Sequence, residues 1–537
     1  MRNHWLVGLL SLLVSSVVLF GGYPTCRAEP ASDDDARRSA AHRTRRIMLN
    51  SDGGDVCQPE AATPEGLLSL RVAPLAGTQL DAILYCSHWG FNHCTHNTAV
   101  GEIFEPSPPK VPVSHSRTLI NQGRDNLQIM IDFCHDNQME AWWSMRMNDV
   151  HDGKIPEIRP QFKKDYPQWL VGKHLGDKTP DMIGESRWWS AVDYEHDGVR
   201  ERAFELIEEV CRNYDVEGVE LDYFRHPVYF QRHRFGRPAS PKQVELMTEF
   251  MHRVHAMTVE VGRERGRPLL VAVRVPDTVE VCAHFGFDIP TWAQEKLVDL
   301  IVPGGYFYLG EWQEMIELGH AHDIPVYPCL SASRLRKDNG VALEREALLW
   351  RGAALNVWEA DADGVYTFNY FHVGPQPYRE LGDPDRLRQM PRVYVPVLGD
   401  IDKFLGASRG QQLRQRYGHL PRDLTAGRPQ TARLQVNESL PDAEQVQLTL
   451  RLRFNEISER DGIEVAVNGV KIAGLAPSTL TDRTLSSADD QRGLAGSWLE
   501  CAPDPSVFRP GANEVTVSCT GEDSIVFQSL QLEVTPR

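Results

Sequence analysis

From residue 45 onward, short apolar runs alternate with amphipathic segments. RRIMLN (45–50), LDAILYC (80–86), MEAWWSMRM (139–147), VEGVELDYF (216–224) and LLVAVRV (269–275) have the length and side-chain content of buried strands. VDLIVPGGYF (298–307), IPVYPCL (324–330) and ADGVYTFNYF (362–371) continue the series. Between them, Leu127, Met130, Ile131 and Cys134 fall at i, i+3, i+4 and i+7, a helical stripe. Ser240-Pro241-Lys242-Gln243 combines an N-cap, a proline at the first helical position and a capping-box glutamine, which predicts a helix start. Strands alternating with helices predict an α/β fold, a parallel (β/α)8 barrel over residues 45–380. A doubly wound open sheet is the runner-up, disfavoured because no GxGxxG follows the first strand.

Past residue 380 the period changes. QVQLTLRLRF (445–454) alternates strictly, and IEVAVNGVKI (463–472) reads as two strands around Asn468-Gly469, a hairpin signal. NEVTVSC and SIVFQSLQLEV add further short strands. Residues 425–537 therefore read as an all-β sandwich, and 381–424, rich in Pro, Arg and Gly, as a linker or barrel-packing segment. Two domains agree with a length of 537 residues, beyond the usual ceiling for one core.

The N-terminus reads as an address. Arg2 precedes an apolar stretch from Trp5 to Phe20, followed by Cys26-Arg27-Ala28. That is the layout of a signal peptide over residues 1–28, cleaved after Ala28, and it implies export. A retained membrane tether is the alternative, because the stretch approaches spanning length. Residues 29–44 read as a disordered polar tail.

Composition is ordinary for a globular protein, 41% hydrophobic and 24% charged. A formal net charge of −17 argues against a nucleic-acid partner. Of the 10 cysteines, Cys134, Cys211 and Cys329 lie in apolar patterns and read as buried thiols, whereas Cys501 and Cys519 are candidates for a disulfide.

The chemistry is expected where barrel strands end. In VEGVELDYFRHP (216–227) Glu220 and Asp222 stand two apart, so they share a face of strand four, Asp222 nearer the mouth. Arg146 and Asn148 on strand three and Arg274 on strand five answer them, and two guanidiniums would hold both acids ionised. Asp222 is then a nucleophile or base, opening onto a pocket. Glycoside cleavage also needs a proton donor, with Asp277, Glu311 and Asp149 as candidates and Glu311 in front, because Tyr306, Phe307, Tyr308 and Trp312 surround it. For Glu220 a packing role in the barrel interior is the competing reading. Expected substrate contacts are His88, Trp89, Asn148, Asp149, Arg225, Tyr306 and Asn369, with Arg146 and Arg274 setting the charge. Trp188 or Trp189 are further ring platforms, while Trp143 has the parity of a core residue. His88, His93 and His96 raise a metal site as an alternative, but they lack a carboxylate at ligand spacing, and no metal or cofactor is expected.

EGVELDYFRHP resembles the strand-four motif of the glycosyl hydrolase-like family 10 barrels, approximately Asp-Gly-Ile-His-Leu-Asp-Asp-Tyr-Phe-Tyr-Pro. Gly218, Asp222, Phe224 and Pro227 match if the second Asp-Tyr is shortened to Tyr223; NSDGG, MRMND and a sixth strand ending in Tyr are similar too. The likeness spans roughly residues 45–375. It implies a TIM-barrel sugar hydrolase acting outside the cytoplasm on a poly- or oligosaccharide, with Asp222 the expected catalytic carboxylate. A shallower likeness to family-18 chitinases places their proton donor on Phe224, which excludes that mechanism here. The C-terminal strands, VAVNGVKI and RPGANEVTV, resemble galactose-binding-like jelly rolls. The reading is an exported glycoside hydrolase; its rival is a non-catalytic carbohydrate-binding protein on a hydrolase-like barrel, and a metal-dependent hydrolase is the third.

Overall fold

The computed structural model describes residues 33–106, 111–172, 187–305, 312–331, 345–370, 374–396, 401–455, 457–478, 497–521 and 525–537. The proposed signal peptide, Tyr306 and Glu311 lie outside them. Eight parallel strands form one sheet: β1 (Ile47–Ser51), β2 (Leu80–Tyr85), β3 (Glu140–Arg146), β4 (Gly218–Asp222), β5 (Leu270–Val275), β6 (Leu300–Pro303), β7 (Cys329–Ser331) and β8 (Val365–Phe368). Their spatial order is 7-8-1-2-3-4-5-6. The seam between β6 and the approach to β7 is bridged by Ile301 N–H donating to Pro325 O (3.1 Å) and Tyr327 N–H donating to Ile301 O (2.9 Å). The sheet is thus a TIM-like barrel, as the alternating pattern predicts.

Side chains on alternate positions fill the interior: Met48, Ala82, Leu84, Trp142, Leu270, Ala272, Leu300, Val302, Tyr366 and Phe368 form one cluster. The opposite parity, including Trp143, Val219, Leu221 and Val273, packs outward on the helices. Outer helices include α2 (Pro64–Arg71), α3 (Asn126–Asp136), α4 (Asp197–Asn213) and α5 (Pro241–Arg265). On α5 both halves of the Ser240/Gln243 capping box form, with Pro241 in the first turn. The stripe of Leu127, Met130, Ile131 and Cys134 is buried on α3.

Within the tail expected to be disordered, Asp33–Ala41 is instead a helix, α1. Its acids lie in the first turn, where they suit the helix dipole, and Arg38 lies in the last. It is held by side-chain pairing that no apolar pattern announces. Arg37 donates two hydrogen bonds to Asp299 (2.8 and 2.6 Å). Just beyond the helix, buried Arg45 pairs with Glu140 (2.6 Å) and donates to the carbonyls of Ala40 and Ala41. Glu140 and Asp299 stand at the amino ends of β3 and β6, so α1 caps the barrel floor opposite its mouth.

The C-terminal residues form antiparallel sheets. Val446–Phe454, Ser497–Cys501 and Ile525–Pro536 make the centre of the larger one; Gln430–Val436, Gly511–Ser518 and Glu464–Val467 belong to the smaller. Val467 pairs with Val470 across Asn468 and Gly469, whose φ values of 48° and 83° are those a two-residue hairpin turn requires. Arg392–Tyr394 and Arg422–Leu424, within the stretch expected to be a linker, are strands of the larger sheet. The barrel and sandwich are joined by Arg345 to Glu533 (2.6 Å) and by the Asn356 side chain, which donates to Gln435 O (2.9 Å) and accepts from Asn437 N–H (2.9 Å). Cys501 and Cys519 are both free thiols, which corrects the expected disulfide.

Gly218 shows why the strand-four motif begins with glycine. A Cβ there would stand 2.3 Å from the Trp142 ring and 2.7 Å from Leu270 O. Gly218→Ala is expected to cost about 1–3 kcal/mol by overpacking, read as a lower urea midpoint at unchanged m-value.

Candidate active site

Strand register sets the centre of the mouth. Arg146, Asp222 and Arg274 are level on β3, β4 and β5. Arg274 Nη2 donates to Asp222 Oδ2 (2.7 Å), and the backbone N–H of Phe224 donates to Asp222 Oδ1 (3.0 Å). The guanidinium also lies 4.1 Å from the centre of the Phe368 ring. Arg274 is wholly buried and Asp222 only 1% exposed, so the carboxylate faces the barrel interior but is covered. The expectation that Asp222 opens onto a pocket is therefore corrected: access requires the covering atoms to move.

One layer below, Glu220 accepts from Asn50 Nδ2 (3.0 Å), Ser144 Oγ (2.6 Å) and Tyr366 Oη (2.6 Å). Burial, reinforced by the charge of Asp222 and only partly offset by Arg274, pushes its carboxyl up to about 7. Glu220 is thus neither ionised by two arginines nor exposed to substrate. Its three donors make it part of a buried hydrogen-bond network, the arrangement that the packing reading describes.

Arg146 reaches Asp149 and the turn after β1. Its Nη1 donates to Asp149 Oδ2 (2.9 Å), its Nη2 donates to the backbone oxygen of Asp52 (3.1 Å), and its guanidinium lies 5.7 Å from the Trp89 ring. Asp149 Oδ1 accepts from the Nδ1 of His151 (2.7 Å) and from its backbone N–H (3.0 Å). Burial alone would raise the Asp149 carboxyl, yet His151 and Arg146 hold it well below the usual carboxylate range. Such an acid stays ionised and gives no proton at neutral pH.

Several expected contacts are structural, and their burial is the reason. His88 is sealed, its Nε2 2.7 Å from Phe91 O and its ring edge-on to Trp143; burial pushes its pKa down to about 3. Asn148 ties two loops together, donating to Val192 O (2.9 Å) and Val228 O (2.7 Å) and accepting from Val192 N–H (3.1 Å). Asp277 is buried, as are Trp188 and Trp189, the former against Phe404 and the latter under Arg159. His96 contacts Ser87 Oγ (2.7 Å) and packs edge-on to Trp143 and Tyr214, so the three histidines of that loop do not converge as ligands. Trp89, Arg225 and Asn369 are half-buried and remain at the rim; Asn369 adopts a left-handed backbone, φ 55°.

Three rim residues escaped the sequence reading. Asp52 follows β1, with its side chain 30% exposed and paired to Arg71 (2.5 Å). Burial opposes its ionisation, but Arg71 and Arg146 outweigh it and lower its pKa. His151 and His226 stand 5.1 Å apart, ring to ring and nearly perpendicular, with Arg225 Nη2 3.3 Å from His151 Nε2 and Nη1 3.5 Å from His226 Nε2. The one available signal was NDVHD, where an acid and a histidine two apart follow a strand.

Residues 101–239 match the model of the glycosyl hydrolase-like 10 family. That segment contains β3, β4 and the Asp149, Asp222 and His226 positions, so the resemblance read from the strand-four motif holds where the mouth is built. No curated protein matches the chain by sequence. Among solved structures, a cycloisomaltooligosaccharide glucanotransferase of Paenibacillus sp., complexed with cycloisomaltoheptaose, is similar at 12% identity and TM-score 0.34, over 91% of this chain and 57% of that one. A GH36 alpha-galactosidase of Geobacillus stearothermophilus is similar at 10% identity and TM-score 0.35, over 94% of this chain and 58% of that one. An Anoxybacillus alpha-amylase is similar at 11% identity and TM-score 0.33, over 90% of this chain and 99% of that one. The chain thus spans under three-fifths of the first two proteins' length.

The Glu220 carboxyl yields a sign. Folded, it keeps its proton up to about pH 7, whereas the unfolded chain releases it near the ordinary value of 4.5. Its contribution to stability is therefore present below about pH 4.5 and is lost as pH rises toward about 7. Glu220→Gln keeps the shape and carries no titration. Its melting temperature is expected to rise relative to the parent's by about 2–4 °C between about pH 5 and pH 8, read by calorimetry.

Proposed function

We propose that the chain is an exported glycoside hydrolase in which Asp222 attacks the anomeric carbon or activates a water. The observation that carries this reading is the position of Asp222: last residue of β4, oriented by Arg274 and Phe224 N–H, inside the segment matching the family model. The half-buried Trp89 beside Arg146 offers an apolar ring next to a donor fork, a pairing that suits a sugar's CH face and hydroxyl rim. Asp52 and Asp149 are held ionised, and Glu220 and Asp277 are closed in, so in this reading the proton donor falls to Glu311. The apolar Trp5–Phe20 stretch supports export.

The binding-only reading has one observation in its favour. Asp222 is almost wholly covered, and a carboxylate that substrate never meets can still neutralise Arg274.

A panel of polysaccharides separates the two. Parent protein is expected to release reducing ends from one of them, and Asp222→Asn to do so at least about a thousandfold more slowly. Retention by that polysaccharide in affinity electrophoresis, with no reducing ends from the parent, would establish the binding-only reading instead. For the donor, Glu311→Gln is expected to lose about 10²–10⁴-fold on the natural glycan and to recover much of that on an aryl glycoside whose leaving group needs no proton. Equal losses on both substrates would remove Glu311 from the donor role.

A further inference from the structure

We propose that Asp149, His151 and His226 form a binding site for a divalent transition-metal ion of the zinc or cobalt kind at the barrel rim, closed in the metal-free chain by the guanidinium of Arg225. One ligand-type atom from each of the three residues lies within 4.8 Å of the others. A tetrahedral site with bonds near 2.0–2.1 Å needs ligand atoms about 3.3 Å apart, so a contraction of about 1.5 Å brings the set to bonding geometry. Asp149 and His151 come from the loop after β3, and His226 from the turn after β4, which places the set between two strands fixed by register.

One nitrogen of the donor set is left without a partner. His226 is 4% exposed, and its Nδ1 has no hydrogen-bond partner among the described residues. A buried, unmatched ring nitrogen is costly, and it leaves the His226 imidazole without a second hydrogen bond to hold it in place. The two Nε2 atoms meet the same group, with Arg225 Nη2 3.3 Å from His151 and Nη1 3.5 Å from His226. Two imidazole nitrogens turned toward one cation describe the same electrostatic demand that a metal ion meets at shorter range. Asp149 serves either as the third ligand or, through its 2.7 Å contact with His151 Nδ1, as the group that orients the imidazole for the metal. Two imidazoles and a carboxylate suit zinc and its neighbours rather than calcium or magnesium, which favour all-oxygen sets. This site differs from the His88, His93 and His96 grouping: here a carboxylate stands against the histidines, and the residues meet in space.

The test uses the full chain without a histidine tag, stripped by chelator and dialysed. Cobalt(II) is titrated while the visible d–d bands are recorded, and zinc(II) is titrated by calorimetry. One equivalent is expected, with bands of four- or five-coordinate cobalt. His151→Ala and His226→Ala are each expected to weaken binding at least about tenfold, and Asp149→Asn by a similar factor. Arg225→Met removes the competing cation and is expected to tighten binding. Circular dichroism checks that each variant is folded, and His226→Asn stands in should His226→Ala not fold. Failure of the parent to bind one equivalent of either ion overturns the proposal, as does binding that folded His151 and His226 variants leave unchanged. The result is independent of sugar cleavage, so it stands or falls apart from the hydrolase reading.

Discussion

The buried guanidinium of Arg274 sets the charge beneath the barrel's mouth. It lies level with Asp222 by strand register and contacts it at 2.7 Å. Neither group is tolerable alone in that setting, because an unpaired buried charge costs several kcal/mol. With Arg274 committed to Asp222, Glu220 one layer below meets mainly burial and a like charge, and it holds its proton toward neutral pH. Two carboxyls on one strand face thus meet different surroundings: Asp222 is paired to a guanidinium, and Glu220 is closed in with its carboxyl pushed up to about 7. Register is what separates them, since a one-residue slip of β5 against β4 would send Arg274 to the outer face and leave both acids uncompensated.

Outward from that pair the mouth is wired in alternating charge. Arg71 holds Asp52, and Arg146 holds Asp149 and lies over Trp89; Asp149 in turn holds His151. Each link fixes the next side chain, so the rim over β1 to β4 is ordered without being closed. Exposure follows the same order. Asp52 and His151 show 30% and 29% of their side chains to solvent, while the acids beneath them are covered.

The barrel was legible in the sequence because its strands are buried on both faces and read as continuous apolar runs. The capping box of α5 and the Asn468-Gly469 turn were legible for a different reason, local chemistry that fixes local backbone. Helix α1 was not, since its residues are polar and its order comes from Arg37 reaching Asp299, far away in sequence. The site divides along the same line. That Glu220 and Asp222 share a face followed from the strand period, but that Arg274 contacts Asp222 and leaves Glu220 to burial was not legible there. His88 and Asn148 were polar residues at strand ends and looked functional, yet one is sealed against Phe91 O and the Trp143 ring and the other ties two loops together. His151 and His226, 75 positions apart in sequence, meet only because β3 and β4 are neighbours.

The strand-four motif itself does much that any stable barrel of this build requires. Gly218 is small because the Trp142 ring and Leu270 O crowd it, and Asp222 neutralises a buried arginine. Phe224 presents its N–H to that carboxylate and is itself fully buried. Every one of these roles would persist in a chain that cleaved nothing. Likeness at the motif therefore argues more strongly for the barrel than for the reaction, and the chemistry has to be decided elsewhere. The residues able to decide it are those whose partners leave part of them unspent: Trp89, half-buried beside Arg146; His151, with 29% of its side chain exposed; and His226, with an unmatched nitrogen. A side chain fully satisfied by the fold has little left to offer a ligand, whereas these three keep polar or apolar surface that folding alone does not consume.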